Sequence, residues 1–194
     1  MTFGIDPNKV ILTGENPFIR LAHSHDGELT TRTSLWKVLF SPHGSGNVLF
    51  IVSTLTGEVP RIYADNIQVA RWFQRDIAKL QYEPFGDEQL EIIDAEFDAY
   101  GDVRDYWTET ISSDEDEILM TWYDIKEPHI IDYPPHSRPG RPHGVYACMI
   151  PTAGAQITIN GERAEGETFL VEQHPDSLAT SSLAFSESWV VERG

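Results

Sequence analysis

The sequence predicts a mainly β chain, an antiparallel β-barrel with one α-helix near residues 66–80. Three observations lead there. Short runs rich in β-branched and aromatic residues recur along the chain, separated by Pro, Gly, Asn and Asp turn signals. One stretch, Asn66 to Leu80, carries apolar residues at helical spacing. Asn160-Gly161 is a strong two-residue hairpin signal. With 194 residues, 40% of them hydrophobic, the chain is long enough to bury a core as one domain spanning residues 1–194. The competing division is a break within the Pro-rich stretch Pro128 to Pro142.

The first strong strand is Ser34 to Phe40. A Pro/Gly turn from Ser41 to Gly46 leads into Asn47 to Ser53, and the two runs read as a hairpin. Val59 to Tyr63 is a short third strand. In the helix, Ile67, Ala70, Phe73, Ile77 and Leu80 form one stripe beside Trp72, with Asp65 or Asn66 as the cap and Arg71, Arg75 and Lys79 outward. The strands expected after it are Leu90–Tyr100, Val103–Ser112, Glu117–Ile125, Gly144–Ile150, Ala155–Asn160, Glu167–Glu172 and Ser182–Val191. Gly101-Asp102 and Ser113 to Asp116 supply turns. So many short strands round one helix point to a barrel or curled sandwich.

Charge and cysteine content narrow the function. The formal net charge is −17, from 31 acids against 14 Lys and Arg. Sixteen of the acids lie between Glu83 and Glu127, opposed there by Arg104 and Lys126 alone. Such a field repels nucleic acid and anionic membranes, and serves solubility. Cys148, the one cysteine, rules out an intrachain disulfide and a cysteine zinc cluster. Its apolar run points to a buried, inert thiol. No apolar stretch is long enough for a membrane helix, and Met1 to Asn8 lacks the basic and apolar pattern of a signal peptide, so a cytoplasmic protein is expected. There is no nucleotide-binding glycine motif, G-x-S-x-G or H-E-x-x-H, so no cofactor is expected. The reading leaves room for a homodimer.

Glu187 is the most informative candidate. In Leu183 to Val191 the period of two puts Leu183, Phe185, Glu187, Trp189 and Val191 on one face. A carboxylate among large apolar side chains has a raised pKa and suits general acid chemistry. The competing role is a structural carboxylate tied to an Arg or a backbone donor. Asp105, Trp107 and Glu109 share a face, as do Trp122 and Asp124, opposite Tyr123. An aromatic wall with a few carboxylates suits a small apolar ligand, although aromatic strand residues also simply fill cores. Asp94, Glu96 and Asp98 alternate with Ile93, Ala95 and Phe97 as an exposed face over a buried one. His136 and His143, in the Pro-rich loop, are candidate proton-transfer groups, against solvated loop histidines. His23 and His25 have an H-x-H spacing that suits a metal if it lies on a strand.

The strand count, the single helix and the closing Ser-Leu-Ala-Phe-Ser-Glu-Ser-Trp resemble the lipocalin-like barrels of the carotenoid hydratase type. That resemblance, over residues 34 to 191, implies a barrel that binds apolar molecules, acid–base work by interior carboxylates, and no cofactor. His23, His25 and Glu28 resemble the cupin H-x-H with its following Glu. Here the Glu stands one or two positions early, and Arg138 to His143 does not repeat the later cupin pattern. The expectation is a cofactor-independent lyase, hydratase or isomerase for a small hydrophobic molecule, terpenoid or epoxide-like. Glu187 would transfer the proton, with Asp124 and His136 or His143 as the second group. Tyr123, Trp107, Trp122, Trp189 and Phe185 would bind the ligand. A non-catalytic carrier and a metal-dependent cupin-type enzyme are the alternatives.

Overall fold

The computed structural model describes residues 9–137, 142–171 and 178–192. Among these, β1 (Val10–Glu15), β2 (Phe18–Ala22), β3 (Leu29–Phe40), β4 (Gly46–Ser53) and β5 (Arg61–Ala64) precede the helical segment. After it come β6 (Ile92–Asp94), β7 (Glu96–Asp102), β8 (Tyr106–Ser112), β9 (Glu117–Ile125), β10 (His129–Tyr133), β11 (Gly144–Ile159), β12 (Glu162–Arg163) and β13 (Ser181–Val190). The strands join in the order β6-β5-β4-β3-β1-β13-β11-β9-β8-β7. β2 pairs with β3 and β13, while β10 and β12 pair with β11. All pairings are antiparallel except β5 with β6. The two ends of this path, β6 and β7, are separated only by Ala95, whose N–H donates to the Ala64 carbonyl at 3.1 Å.

Alternation sorts most buried side chains into two main cores, beside a smaller cluster of Phe18, Ile131, Ala147, Met149 and Ala184. Leu35, Leu49, Ile51 and Tyr63 from one half of the sheet pack with Ile111, Ile118, Met120, Trp122, Ala155, Ile157 and Leu183 from the other. This is the inner core, and it requires the sheet to curl on itself. The opposite side chains of the first half, Trp36, Val38, Val48, Phe50 and Ile62, meet the helix. Asn66 caps that helix, its Oδ1 accepting from the N–H groups of Gln68 and Val69 at 3.1 and 3.3 Å. α1 (Ile67–Phe73) runs through a π-helical turn, Gln74–Ala78, into α2 (Lys79–Gln81). Val69, Ala70, Phe73 and Ile77 are buried on the sheet, the three larger side chains worth about 1.5–3 kcal/mol each. Ile67, expected in the buried stripe, is 61% exposed, because the sheet does not cover the first turn.

The expected β3–β4 hairpin is present, with Leu35 opposite Leu49. Asn160-Gly161 forms the expected two-residue turn, with φ of 54° and 81° and Ile159 paired to Glu162. Other expectations shift. Leu90–Tyr100 divides at Ala95 into β6 and β7. Gly144–Ile150 and Ala155–Asn160 fuse into β11, whose first half pairs with β13 and second half with β9. In place of a strand at Glu167–Glu172 there are isolated bridges, Glu167 to Ala22 and Leu170 to Ala179, with Glu172 outside the described residues. The Pro-rich stretch holds a strand after all: β10 occupies the proline-free window between Pro128 and Pro134. Met1 to Asn8 and Arg138 to Arg141 lie outside the described residues.

Candidate functional site

The expected face of the last strand is broken by a register shift. Leu183 pairs with Ile150 and Ser186 with Cys148, so three steps along β13 match two along β11. Such a bulge reverses the side-chain alternation beyond it. Leu183 and Phe185 therefore pack into the inner core, while Trp189 joins the helix-side core. Glu187 lies opposite Ala147 and goes with Trp189. It is 5% exposed. The Trp189 indole N–H donates to its Oε1 at 2.5 Å and the Asn16 amide to its Oε2 at 3.4 Å. Ser34 Oγ lies 3.2 Å from Asn16 Oδ1 and 3.0 Å from Gln81 Oε1, which extends the polar chain to the helix end.

His143 shares this helix-side region. Its ring sits 5.5 Å from that of Trp189, and its buried Nδ1 has no hydrogen-bond partner among the described residues. Burial lowers its pKa, Asp76 opposes that shift, and His136 adds to it. His136 itself is exposed, at φ 60°, with Nε2 3.7 Å from Glu192. Asp124 is exposed at φ 53°. Tyr123 lies on the other face of β9 from Trp122, its ring over Gly154. Trp122 is fully buried, its indole donating to the Phe18 carbonyl at 3.1 Å, and fills the inner core. The fold thus gathers Glu187, Trp189 and His143 on the helix side. It holds Trp107 and Phe185 together on the inner side, leaves His136 at the exposed margin beside His143, and sets Asp124 and Tyr123 apart from both groups.

On the inner side the carboxylate beside the aromatic wall is Glu109. β8 points Trp107, Glu109 and Ile111 inward, toward Met120 and Trp122 of β9. Glu109 is 1% exposed. Its Oε1 accepts from Lys37 Nζ at 2.7 Å and from the Trp107 indole at 2.8 Å. Lys37 also reaches Glu15 Oε2 at 3.6 Å and lies 5.9 Å from the Trp107 ring centroid. Phe185 meets Trp107 edge to face, with centroids 5.5 Å apart. Burial pushes the Glu109 carboxyl above its ordinary value; Lys37 and Trp107 pull it back, and Glu15 adds a smaller upward push. Glu109 Oε2 is buried and has no hydrogen-bond partner among the described residues. The sequence carried the same signal here as at Glu187, a carboxylate alternating with large apolar residues, but on a strand crowded with other acids.

A third buried carboxylate serves as a comparison. Asp116, 9% exposed, accepts from the Tyr63 hydroxyl at 2.7 Å and from Arg61 at 3.0 Å on Oδ2. Its Oδ1 accepts from Asn160 at 3.1 Å. Desolvation is the largest push on the Tyr63 phenol, whose pKa rises to about 12. Both oxygens of Asp116 are used, and the group links β5 to the β8–β9 turn.

The remaining candidates lie at the surface. His23 and His25 follow β2 in a turn rather than on a strand, and they face different carboxylates, Glu165 at 3.5 Å and Asp26 at 3.0 Å. Among the described residues no group of three or more His, Cys, Asp or Glu is arranged to hold a metal. Asp94, Glu96 and Asp98 are exposed as expected. Asp94 and Glu96 line an open cleft of ≈ 680 Å³ with Asp65, Asp114, Ser112 and Phe97. Among the described residues no helix is long and apolar enough to cross a membrane. Compared with known proteins, the chain matches no family, no curated protein and no solved structure.

Proposed function

We propose that this chain binds a small, largely apolar molecule and acts on it by acid–base chemistry as a cofactor-independent lyase, hydratase or isomerase, with Glu109 as the proton-transfer group. The observation that carries the reading is the contrast between two buried carboxylates. Asp116 has a partner on each oxygen, as structural buried groups do. Glu109 keeps one oxygen unused beside an aromatic wall. Leaving a buried acceptor unmatched costs about 1–3 kcal/mol, more for a charged group, and such costs are retained at functional sites.

The roles follow from the geometry. Lys37 and the Trp107 indole hold Oε1 and fix the plane of the carboxylate. Trp107 and Phe185 offer the apolar surface. The reading takes the curled sheet as a lipocalin-like barrel whose mouth lies near Lys37. In its favour, the ends of the strand path meet at Ala95, and Lys37 and Glu15 are partly exposed where Leu35 and Ile111 are buried. A second reading, a carrier that holds its ligand without turning it over, draws on the apolar surface of Trp107 and Phe185 alone.

Incubating the protein with a mixture of small terpenoid alcohols, epoxides and aromatic compounds, followed by mass spectrometry, tests both. A new product is expected, with its formation reduced about 10²–10⁴-fold in Glu109→Gln, the usual worth of a general acid or base. A ligand retained unchanged in mass selects the carrier. Turnover that is equal in wild type and variant removes Glu109 from the chemistry.

A further inference from the structure

The geometry points to a ligand class for this site: a small organic cation, an amine carried on an apolar or aromatic frame. The inference rests on the reading of Glu109 as the ligand-facing group. Among the described residues the charged groups that act on Glu109 are Lys37 and Glu15. Lys37 is the single ammonium between two carboxylates, at 2.7 Å from Glu109 and 3.6 Å from Glu15. Buried and half-buried ions are stable when charge is balanced and each polar atom has a partner. This group is short by one positive charge and by one hydrogen-bond donor, and both deficits fall on the same carboxylate.

An ammonium group supplies the two together. Its N–H would donate to Glu109 Oε2, and its charge would balance the second carboxylate. The rings of Trp107 and Phe185 would take the carbon frame. Lys37 already reaches Oε1, so the incoming cation and Lys37 would occupy opposite oxygens. A neutral alcohol supplies the donor but leaves the negative charge in excess. A carboxylic acid at neutral pH adds to that excess, against a chain whose net charge is already −17.

Matched series of amines, alcohols and carboxylates on butyl, octyl and phenylethyl frames, titrated against the full chain, test the inference. The Trp107 indole N–H resonance reports on the site because it is bonded to Glu109. The expected result is saturable binding of amines about tenfold tighter than the alcohol on the same frame, the scale of one partly screened charge pair. Carboxylates should not bind. Glu15→Gln, at a half-exposed position, should bring amine and alcohol affinities together by removing the excess charge. If alcohols bind as tightly as amines, and Glu109→Gln abolishes both, the cation inference falls while the site reading stands. If no series moves the indole resonance, both fall. Should Glu109→Gln lose its folded amide spectrum, the Glu15→Gln comparison decides alone, and an unchanged amine preference there overturns the inference.

Discussion

A single buried carboxyl makes Glu109 a reporter of its own environment. Its folded-state pKa lies above the ordinary value of 4.5, with burial as the largest cause and Lys37 and Trp107 opposing it. A group of this kind contributes stability that is fully present below its unfolded pKa and is lost as pH rises through its folded pKa. Glu109→Gln carries an amide that does not titrate, so the difference between the two proteins isolates the carboxyl. The margin of wild type over variant should be largest below pH 4.5 and should shrink as pH climbs through the raised value. Urea unfolding at a series of pH values measures that margin. A margin that grows with pH would mean that Lys37, rather than burial, governs the group. The residue itself was visible in the sequence as part of the Trp107-x-Glu109 alternation. What singles it out, one satisfied oxygen and one unsatisfied, depends on Lys37, 72 residues away along the chain, and on where β3 meets β8.

At the level of strands, close backbone approaches decide what the sheet tolerates. Gly14 lies at the β1–β3 register shift, where a Cβ would stand 2.3 Å from the Lys37 carbonyl oxygen. Backbone cannot step aside there, so Gly14→Ala should cost about 3 kcal/mol, the upper end for overpacking. At Gly154 the added methyl would meet the Tyr123 ring, with 2.0 Å to Cε2. The obstacle there is a half-buried side chain rather than backbone, so Gly154→Ala should cost less, about 1 kcal/mol. Chemical denaturation of the two variants checks the ranking, and equal losses would refute it. The strands themselves were largely legible. β9 falls at the expected Glu117–Ile125, and the helix starts where Asn66 can cap it. The bulge in β13 was not legible, because nothing in Ser-Leu-Ala-Phe-Ser-Glu-Ser-Trp marks the residue at which the pairing slips. That one slip carries Glu187 away from Phe185 to the side of Trp189, and so divides the single aromatic pocket expected from alternation into two groups. β1 and β2 were missed because their apolar runs are short and interrupted by Gly14, Asn16 and Pro17.

At the scale of the whole chain, charge is the dominant lever. Sixteen acids lie between Glu83 and Glu127, most of them on β6 to β9 and their turns and the rest just before β6 or after β9, against two basic residues. Their mutual repulsion opposes the compact state and is screened as the Debye length falls from about 30 Å at 0.01 M salt to about 8 Å at 0.15 M. Stability should therefore rise with sodium chloride over that range, on the order of 1 kcal/mol, the scale of exposed charge interactions. The urea midpoint measures this, and a midpoint that falls with salt would place the balance in ion pairs such as Lys37–Glu109 instead. The position of β13 bears on the order in which the molecule is assembled. It lies between β1 and β11 in the strand path, yet it comes last in sequence among the described strands. During synthesis, β1 and β3 to β6 can pair among themselves, and so can β7 to β12. Until residues 181–190 leave the ribosome, the backbone links between these two sets among the described residues are the covalent hinge at Ala95 and the isolated Ala22–Glu167 bridge, with no strand ladder. Each set must wait with an open edge, so a nascent chain stalled before Ser181 is the form of this protein most exposed to mispairing and most in need of a chaperone.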